Sequence, residues 1–185
     1  LHRERWRGPV EYADNAARLM AAYADMGCAP TWTCAPYVLR PRPGLGEHVA
    51  WGESNAIVFA NSVLGARTQR YGDFVEISAA VTGRAPYAGL HTDEGRLGEV
   101  RVRVDVPDRW LNSEVFFSLL GHVVGRRVGG RIPVITGVPA ATEDQLKALG
   151  SAAASTGSVA MFHVVGVTPE APDLAFERCQ RSSRR

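Results

Sequence analysis

The chain has 185 residues, 45% of them apolar and 22% charged, with 19 glycines and 11 prolines. These are the values of a globular, loop-rich chain long enough to bury a core, and they exclude a disordered or fibrous one. A formal charge of +2, with no Lys/Arg stripe interleaved with aromatics, argues against nucleic-acid binding.

No run approaches the roughly 20 apolar residues that span a bilayer, and the start has no signal-peptide pattern, so a cytoplasmic protein without a membrane partner is expected. Cys28, Cys34 and Cys179 form neither a disulfide framework nor a zinc spacing. Leu1 at the start and the loss of periodicity over the last residues lead us to expect an internal piece of a longer protein, ending in an unstructured tail over 172–185.

In chain order, residues 9–26 place Tyr12, Ala16, Leu19, Met20, Tyr23 and Met26 on one face of an amphipathic helix that Gly27 ends. An extended segment, Ala-Pro-Thr-Trp-Thr-Cys-Ala-Pro-Tyr, is fenced by Pro30 and Pro36, and a Pro/Gly loop follows over 41–46. Glu53 to Leu64 reads as a mostly apolar helix closed by Gly65. Asp73 to Val81 reads as another, with Phe74, Ile77 and Val81 inward.

The second half is more regular. Gly98 to Pro107 alternates valines with charged residues, as a half-exposed strand does. Ser113 caps an apolar helix to about Arg127, and Ile132 to Thr136 is a short buried strand. Thr142-Glu143-Asp144-Gln145 is a capping-box signature opening a helix that ends near Gly157, and Ser158 to Val167 reads as a last buried strand. The order predicts an α/β fold: a helix- and loop-rich lobe over 9–96 and a βαβαβ lobe over 97–171, with crossover connections and helices covering the sheet.

Three segments carry chemistry. Cys34 between two prolines sits on a fixed backbone, which suits a ligand of an iron–sulfur cluster or zinc, although a single such thiol also serves as a small apolar filler. Polar residues recur along Trp51-Gly52-Glu53-Ser54-Asn55 and Asn61-Ser62, then Arg67-Thr68, on an otherwise apolar helix and just past its end. They either line a pocket or stitch loops together. Arg84 and His91 follow in a loop, able to bind an anion or move a proton. His163 and His122 read as satisfied core histidines. No dinucleotide fingerprint, Walker loop or nucleophile elbow is present.

Taken in order, Pro-Thr-Trp-Thr-Cys-Ala-Pro-Tyr, Ala-Trp-Gly-Glu-Ser-Asn-Ala-Ile-Val-Phe-Ala-Asn-Ser-Val-Leu-Gly-Ala-Arg-Thr, Thr-Gly-Arg-Ala-Pro-Tyr, Gly-Gly-Arg-Ile-Pro-Val and Phe-His-Val-Val-Gly-Val-Thr-Pro-Glu-Ala resemble the aconitase X family from about Pro9 to Ala171. The resemblance implies aconitase-like α/β/α layers and an iron–sulfur hydro-lyase acting on a small hydroxy acid. The substrate it favours is cis-3-hydroxy-L-proline, with mevalonate 5-phosphate as the alternative and an inactive remnant as a third reading. The phosphate reading expects Arg67 and Arg84 to converge.

The resemblance further implies Cys34 as a cluster ligand. It makes Glu53, Ser54, Asn55, Asn61, Ser62, Arg67 and Thr68 pocket candidates, with Arg84 and His91 weaker ones; no catalytic base is assigned. Family members carry further cluster cysteines in Gly-Cys-Pro and Asp-Thr-Cys contexts and a small swivelling domain or subunit. None of these occurs in this sequence, so the chain alone is expected to be inactive.

Overall fold

The computed structural model describes residues 5–173. Cys179 and most of the expected tail lie outside them. The chain divides into two compact units between Thr33 and Cys34.

The first unit holds α1 (Val10–Asp25), entered at Pro9 and left at Gly27 in a left-handed conformation. Its apolar face was expected to pack, but no residue of α1 is buried within the unit. Tyr12, Leu19 and Met26 are all exposed.

The second unit is built on a parallel three-stranded sheet in the order β1 (Val100–Arg103), β2 (Pro133–Thr136), β3 (His163–Val164). Val100 pairs with Pro133 and Val134 with His163. Helices α5 (Glu114–Val128) and α6 (Glu143–Gly157) make the two crossovers and pack against each other. A four-residue helix, α4 (Asp108–Leu111), precedes α5 and was not foreseen.

The capping box forms as written in the sequence. Gln145 N–H donates to Thr142 Oγ1 at 3.2 Å, and Thr142 N–H donates to Gln145 Oε1 at 2.9 Å. The core joins this layer to the segment before the sheet: Val58, Phe117, Ile135, Leu149 and Phe162 are each under 2% exposed and lie in one cluster.

α5 and α6 approach closely because α5 offers glycine where they touch. A Cβ on Gly125 would stand 2.7 Å from the Ala153 carbonyl oxygen, and one on Gly121 would stand 2.9 Å from Ala152 Cβ. Only one side of α5 is covered. Phe117, Val124 and Val128 are buried, whereas Val115, Leu119 and Val123 face out, as does His122, which was expected inside.

Two further expectations change. The strand expected over 98–107 is confined to four residues, and the one over 158–167 to His163–Val164. Residues 159–162 are nonetheless buried. Their backbone finds side chains rather than a neighbouring strand: Asn61 Nδ2 donates to Ala160 O at 3.0 Å, and Phe162 N–H donates to Ser62 Oγ at 2.8 Å. Buried peptide groups need partners of some kind, and here the preceding helix supplies them. In α3 (Val75–Thr82) and its cap, Phe74 and Val81 are exposed rather than inward, and only Ile77 is half-buried.

Among the described residues, no helix is long and apolar enough to cross a membrane.

Candidate functional site

The segment Glu53–Leu64 places most of the candidates. It starts as α2 (Ser54–Phe59) and widens into a π-helical turn, Ala60–Leu64, which Gly65 ends at φ 68°. The Glu53 carboxylate caps the start, accepting N–H bonds from Asn55 at 2.9 Å and Ala56 at 3.1 Å. Ser54 Oγ donates to the same carboxylate at 3.2 Å.

Asn55 then ties this end to the cysteine segment. Its Nδ2 donates to the Cys34 carbonyl at 3.4 Å, and its Oδ1 accepts from Tyr37 Oη at 2.6 Å. Tyr37 stacks on Phe59 with ring centroids 4.1 Å apart, in a turn opened by Pro36. Burial is the main cause that raises the Tyr37 phenol above its ordinary value, followed by the charges of Glu53 and Cys34. Cys34, Glu53, Ser54 and Asn55 are thus brought together, with the Cys34 side exposed and its backbone held from within the unit.

Asn61, Ser62 and Thr68 lie elsewhere, inside the fold. Asn61 is fully buried, and all four of its amide bonding positions are used. Nδ2 donates to Thr68 O and Ala160 O at 3.0 Å each; Oδ1 accepts from Thr68 N–H and Arg96 Nη1 at 3.0 Å each. The Thr68 hydroxyl accepts the Trp51 N–H at 3.2 Å. Asn61, Ser62 and Thr68 thus bond the surrounding backbone from inside the fold.

Arg96, which no motif singled out, completes this buried frame. Arg96 is 3% exposed, and its Nε–H is shared between the two carboxylate oxygens of Glu170, at 2.8 and 3.0 Å. The same guanidinium donates to Asn61 O at 3.0 Å, inside the π turn, and to Ala66 O at 3.1 Å, just past its end.

The remaining candidates part company. Arg67 pairs with Asp93 and donates from Nη1 to the His91 carbonyl at 3.0 Å. With Leu45, Arg96 and Glu170 it borders a cavity of about 460 Å³. Arg84 stands exposed beyond α3.

His91 is 1% exposed, so its ring cannot face a ligand directly. Its Nδ1 lies 2.8 Å from His48 Nδ1, and its Nε2 is hydrogen-bonded to Tyr71 Oη. Burial lowers the His91 pKa below the usual histidine value, and the charges of His48, Arg96 and Arg67 add to this. His48 is placed by a parallel bridge to Arg67, with Arg67 N–H donating to Glu47 O at 2.8 Å and Val49 N–H to Arg67 O at 2.9 Å. His163 lies in the core as expected, where its Nε2 bonds the Arg96 carbonyl at 2.8 Å.

An iron–sulfur cluster needs several thiolates on one centre. Among the described residues, no three His, Cys, Asp or Glu side chains converge on a point, and Cys34 is the one thiol of its unit. The residues present therefore do not hold a cluster by themselves.

The chain was compared with known proteins. Family models described as the aconitase X first domain and the aconitase X second domain match residues 2–94 and 98–184. A cis-3-hydroxy-L-proline dehydratase of Hypocrea jecorina is 50% identical over 94% of this chain, and one of Pseudomonas aeruginosa is 48% identical over 100% of it. The phosphomevalonate dehydratase large subunit of Methanosarcina mazei is 41% identical over 94%. The chain spans 30%, 32% and 43% of these three proteins' own lengths. The crystal structure of Thermococcus kodakaraensis aconitase X in its holo form matches with a TM-score of 0.81 at 38% identity, covering 90% of this chain and 42% of that one.

Proposed function

The chain belongs to the aconitase X family, and on that footing we propose that it forms part of a cytoplasmic dehydratase that removes water from cis-3-hydroxy-L-proline. The observation that carries the choice of substrate is its higher identity to the two hydroxyproline dehydratases than to the phosphomevalonate subunit. A phosphate would call for free guanidiniums, and Arg67 is already committed to Asp93 and the His91 carbonyl.

In this reading residues 9–96 form the lobe that carries the site and 97–171 the lobe that carries the sheet. Cys34 supplies one ligand of an iron–sulfur cluster, and the other ligands and a small swivelling domain or subunit come from outside the described residues. Asn55, half-buried beside Cys34, offers its second amide hydrogen to the substrate carboxylate, where charge develops as the α-proton leaves, and exposed Ser54 stands next to it. Glu53 keeps both in place through the helix cap. Asn61, Thr68 and Arg96 keep the segment rigid, so that donors and thiol hold their spacing before substrate arrives.

The test is an assay of the intact, iron-reconstituted protein on cis-3-hydroxy-L-proline and on mevalonate 5-phosphate. Turnover of the hydroxyproline with the higher kcat/KM is expected. Turnover of the phosphate substrate alone, or of neither, removes this reading.

A further inference from the structure

We propose that Tyr71, His91 and His48 form a proton relay serving this dehydration, with Tyr71 handing a proton to the leaving hydroxyl and the two histidines restoring it. The proposal rests on the dehydratase reading for its substrate, and on the following geometry for the relay itself.

The two buried histidines described in the unit are bonded in different ways. His163 bonds a backbone carbonyl, as a structural histidine does. His91 commits both ring nitrogens to titratable side chains, Nδ1 to His48 and Nε2 to Tyr71. His48 is exposed and Tyr71 half-buried, so the closed imidazole of His91 connects two positions that reach the outside. The His48 and His91 rings stack with centroids 5.0 Å apart, and Tyr87 flanks His48 at 6.2 Å.

A neutral imidazole carries one N–H and one lone pair. When His91 Nε2–H donates to Tyr71, its Nδ1 must accept from His48 Nδ1–H; in the opposite tautomer both bonds reverse. Passing between these states moves one proton across each bond. Burial and the charges of Arg67 and Arg96 keep His91 in the neutral form that this exchange requires.

Tyr71 is linked to the candidate segment through Glu76. Glu76 lies beside Tyr71 and, after burial, is the cause that raises its phenol, which keeps the proton on Tyr71 until it is needed. The Glu76 side chain also packs directly against Gly52, the residue before Glu53.

The step balances as follows. The C–O bond of the substrate breaks with its electron pair on oxygen, and that oxygen takes the Tyr71 Oη proton and leaves as water. Tyr71 regains a proton from His91 Nε2, His91 regains one at Nδ1 from His48 Nδ1, and His48 is refilled at Nε2 from bulk water. Once product has left, the reverse shift, with Tyr71 reprotonated by solvent in the open site and His48 Nε2 releasing its proton, returns both rings to their starting tautomers. The α-carbon proton goes to a separate base, its C–H pair becoming the new C=C bond, and its release to solvent balances the proton drawn in. Tyr71 is the catalytic residue here, and His91 and His48 position and recharge it.

The experiment uses the intact, iron-reconstituted protein and its Tyr71→Phe and His48→Ala variants, each first shown to melt like the parent. Tyr71→Phe is expected to lower kcat by about 100-fold, the usual worth of a general acid, with KM little changed. His48→Ala is expected to be slow as well, and to recover in added imidazole, which Tyr71→Phe does not. A Tyr71→Phe enzyme as fast as its parent, or a His48→Ala enzyme indifferent to imidazole, overturns the relay.

A second measurement needs no substrate. The ultraviolet titration of the Tyr71 phenol, taken as the difference from Tyr71→Phe, is expected to move when His48 is replaced, through the buried ring between them. An unmoved titration also overturns the relay. If the parent turns over neither substrate, the dehydratase reading falls, and the titration alone decides whether the three groups act as one unit.

Discussion

At the scale of single residues, the polar side chains of the Glu53–Thr68 segment separate into two kinds that the sequence presents alike. Ser54 is exposed and makes one bond, to Glu53. Asn61 is buried and makes four, to groups with no access to water. Removing a buried amide strands its partners, at roughly 1–3 kcal/mol for each group left without a bond. Asn61→Ala is therefore expected to lower the unfolding free energy by about 4 kcal/mol, and Ser54→Ala by less than about 0.5 kcal/mol, in urea titrations of the chain. Equal effects of the two would show that Asn61 is not the support described above. Cys34, Glu53 and Asn55 sit in contiguous motifs, and the fold brings those motifs together. His48 and Tyr71 were not legible: they meet His91 from 43 and 20 residues away, and no local pattern marks such a pairing. The buried role of Asn61 and Thr68 was hidden for the same reason. Their partners at Arg96 and Ala160 are brought in by the fold.

At the scale of elements, periodicity and caps located the helices. α6 opens on the Thr142 capping box that the sequence spells out, whereas α5 begins after Ser113 without a capping bond from the Ser113 side chain, which corrects that expectation. The last strand was overextended because burial and strand pairing are different things. Val159 to Phe162 are apolar and buried, but their peptide groups answer to Asn61 and Ser62. The α5–α6 contact sets two effects against each other. By helix propensity alone, Gly125→Ala should stabilise the chain by roughly 1 kcal/mol. The atoms in the way, however, belong largely to the α6 backbone, with the Ala153 carbonyl 2.7 Å from the new methyl, and they have no rotamer to retreat into. Overpacking of this kind costs about 1–3 kcal/mol, so packing outweighs propensity and a net loss near 2 kcal/mol is expected. A thermal melt gives the sign directly. A raised Tm for Gly125→Ala would mean that the two helices are free to separate.

At the scale of the larger unit, beginning at Cys34, stability couples to pH through two histidines that the fold keeps neutral. His163 and His91 are each 1% exposed, and burial is the first cause lowering the pKa of both. For His163 the bond to the Arg96 carbonyl and the charge of Glu170 pull the other way, and the net direction is still down. An unfolded chain exposes both rings, which then titrate near the free value of about 6.5. Between that value and the lowered folded value the unfolded state binds more protons than the folded one. Stability must therefore rise with pH across this window, and it falls as acid is added. Each unit of depression contributes about 1.4 kcal/mol to the loss once both states are protonated. The free energy of unfolding is expected to be flat from pH 8 to 7 and to fall from pH 6.5 to 5.5, a range above that in which ordinary carboxylates titrate, at roughly 4. Replacing His163 with Gln, whose amide still donates to the Arg96 carbonyl and carries no titrating proton, should flatten part of the slope, and the remainder should disappear with His91→Gln. Urea unfolding at half-unit pH steps resolves the two contributions. A stability that holds constant or grows between pH 6.5 and 5.5 would mean that these rings take up their protons inside the fold, with Glu170 and the carbonyls around them outweighing the cost of burial.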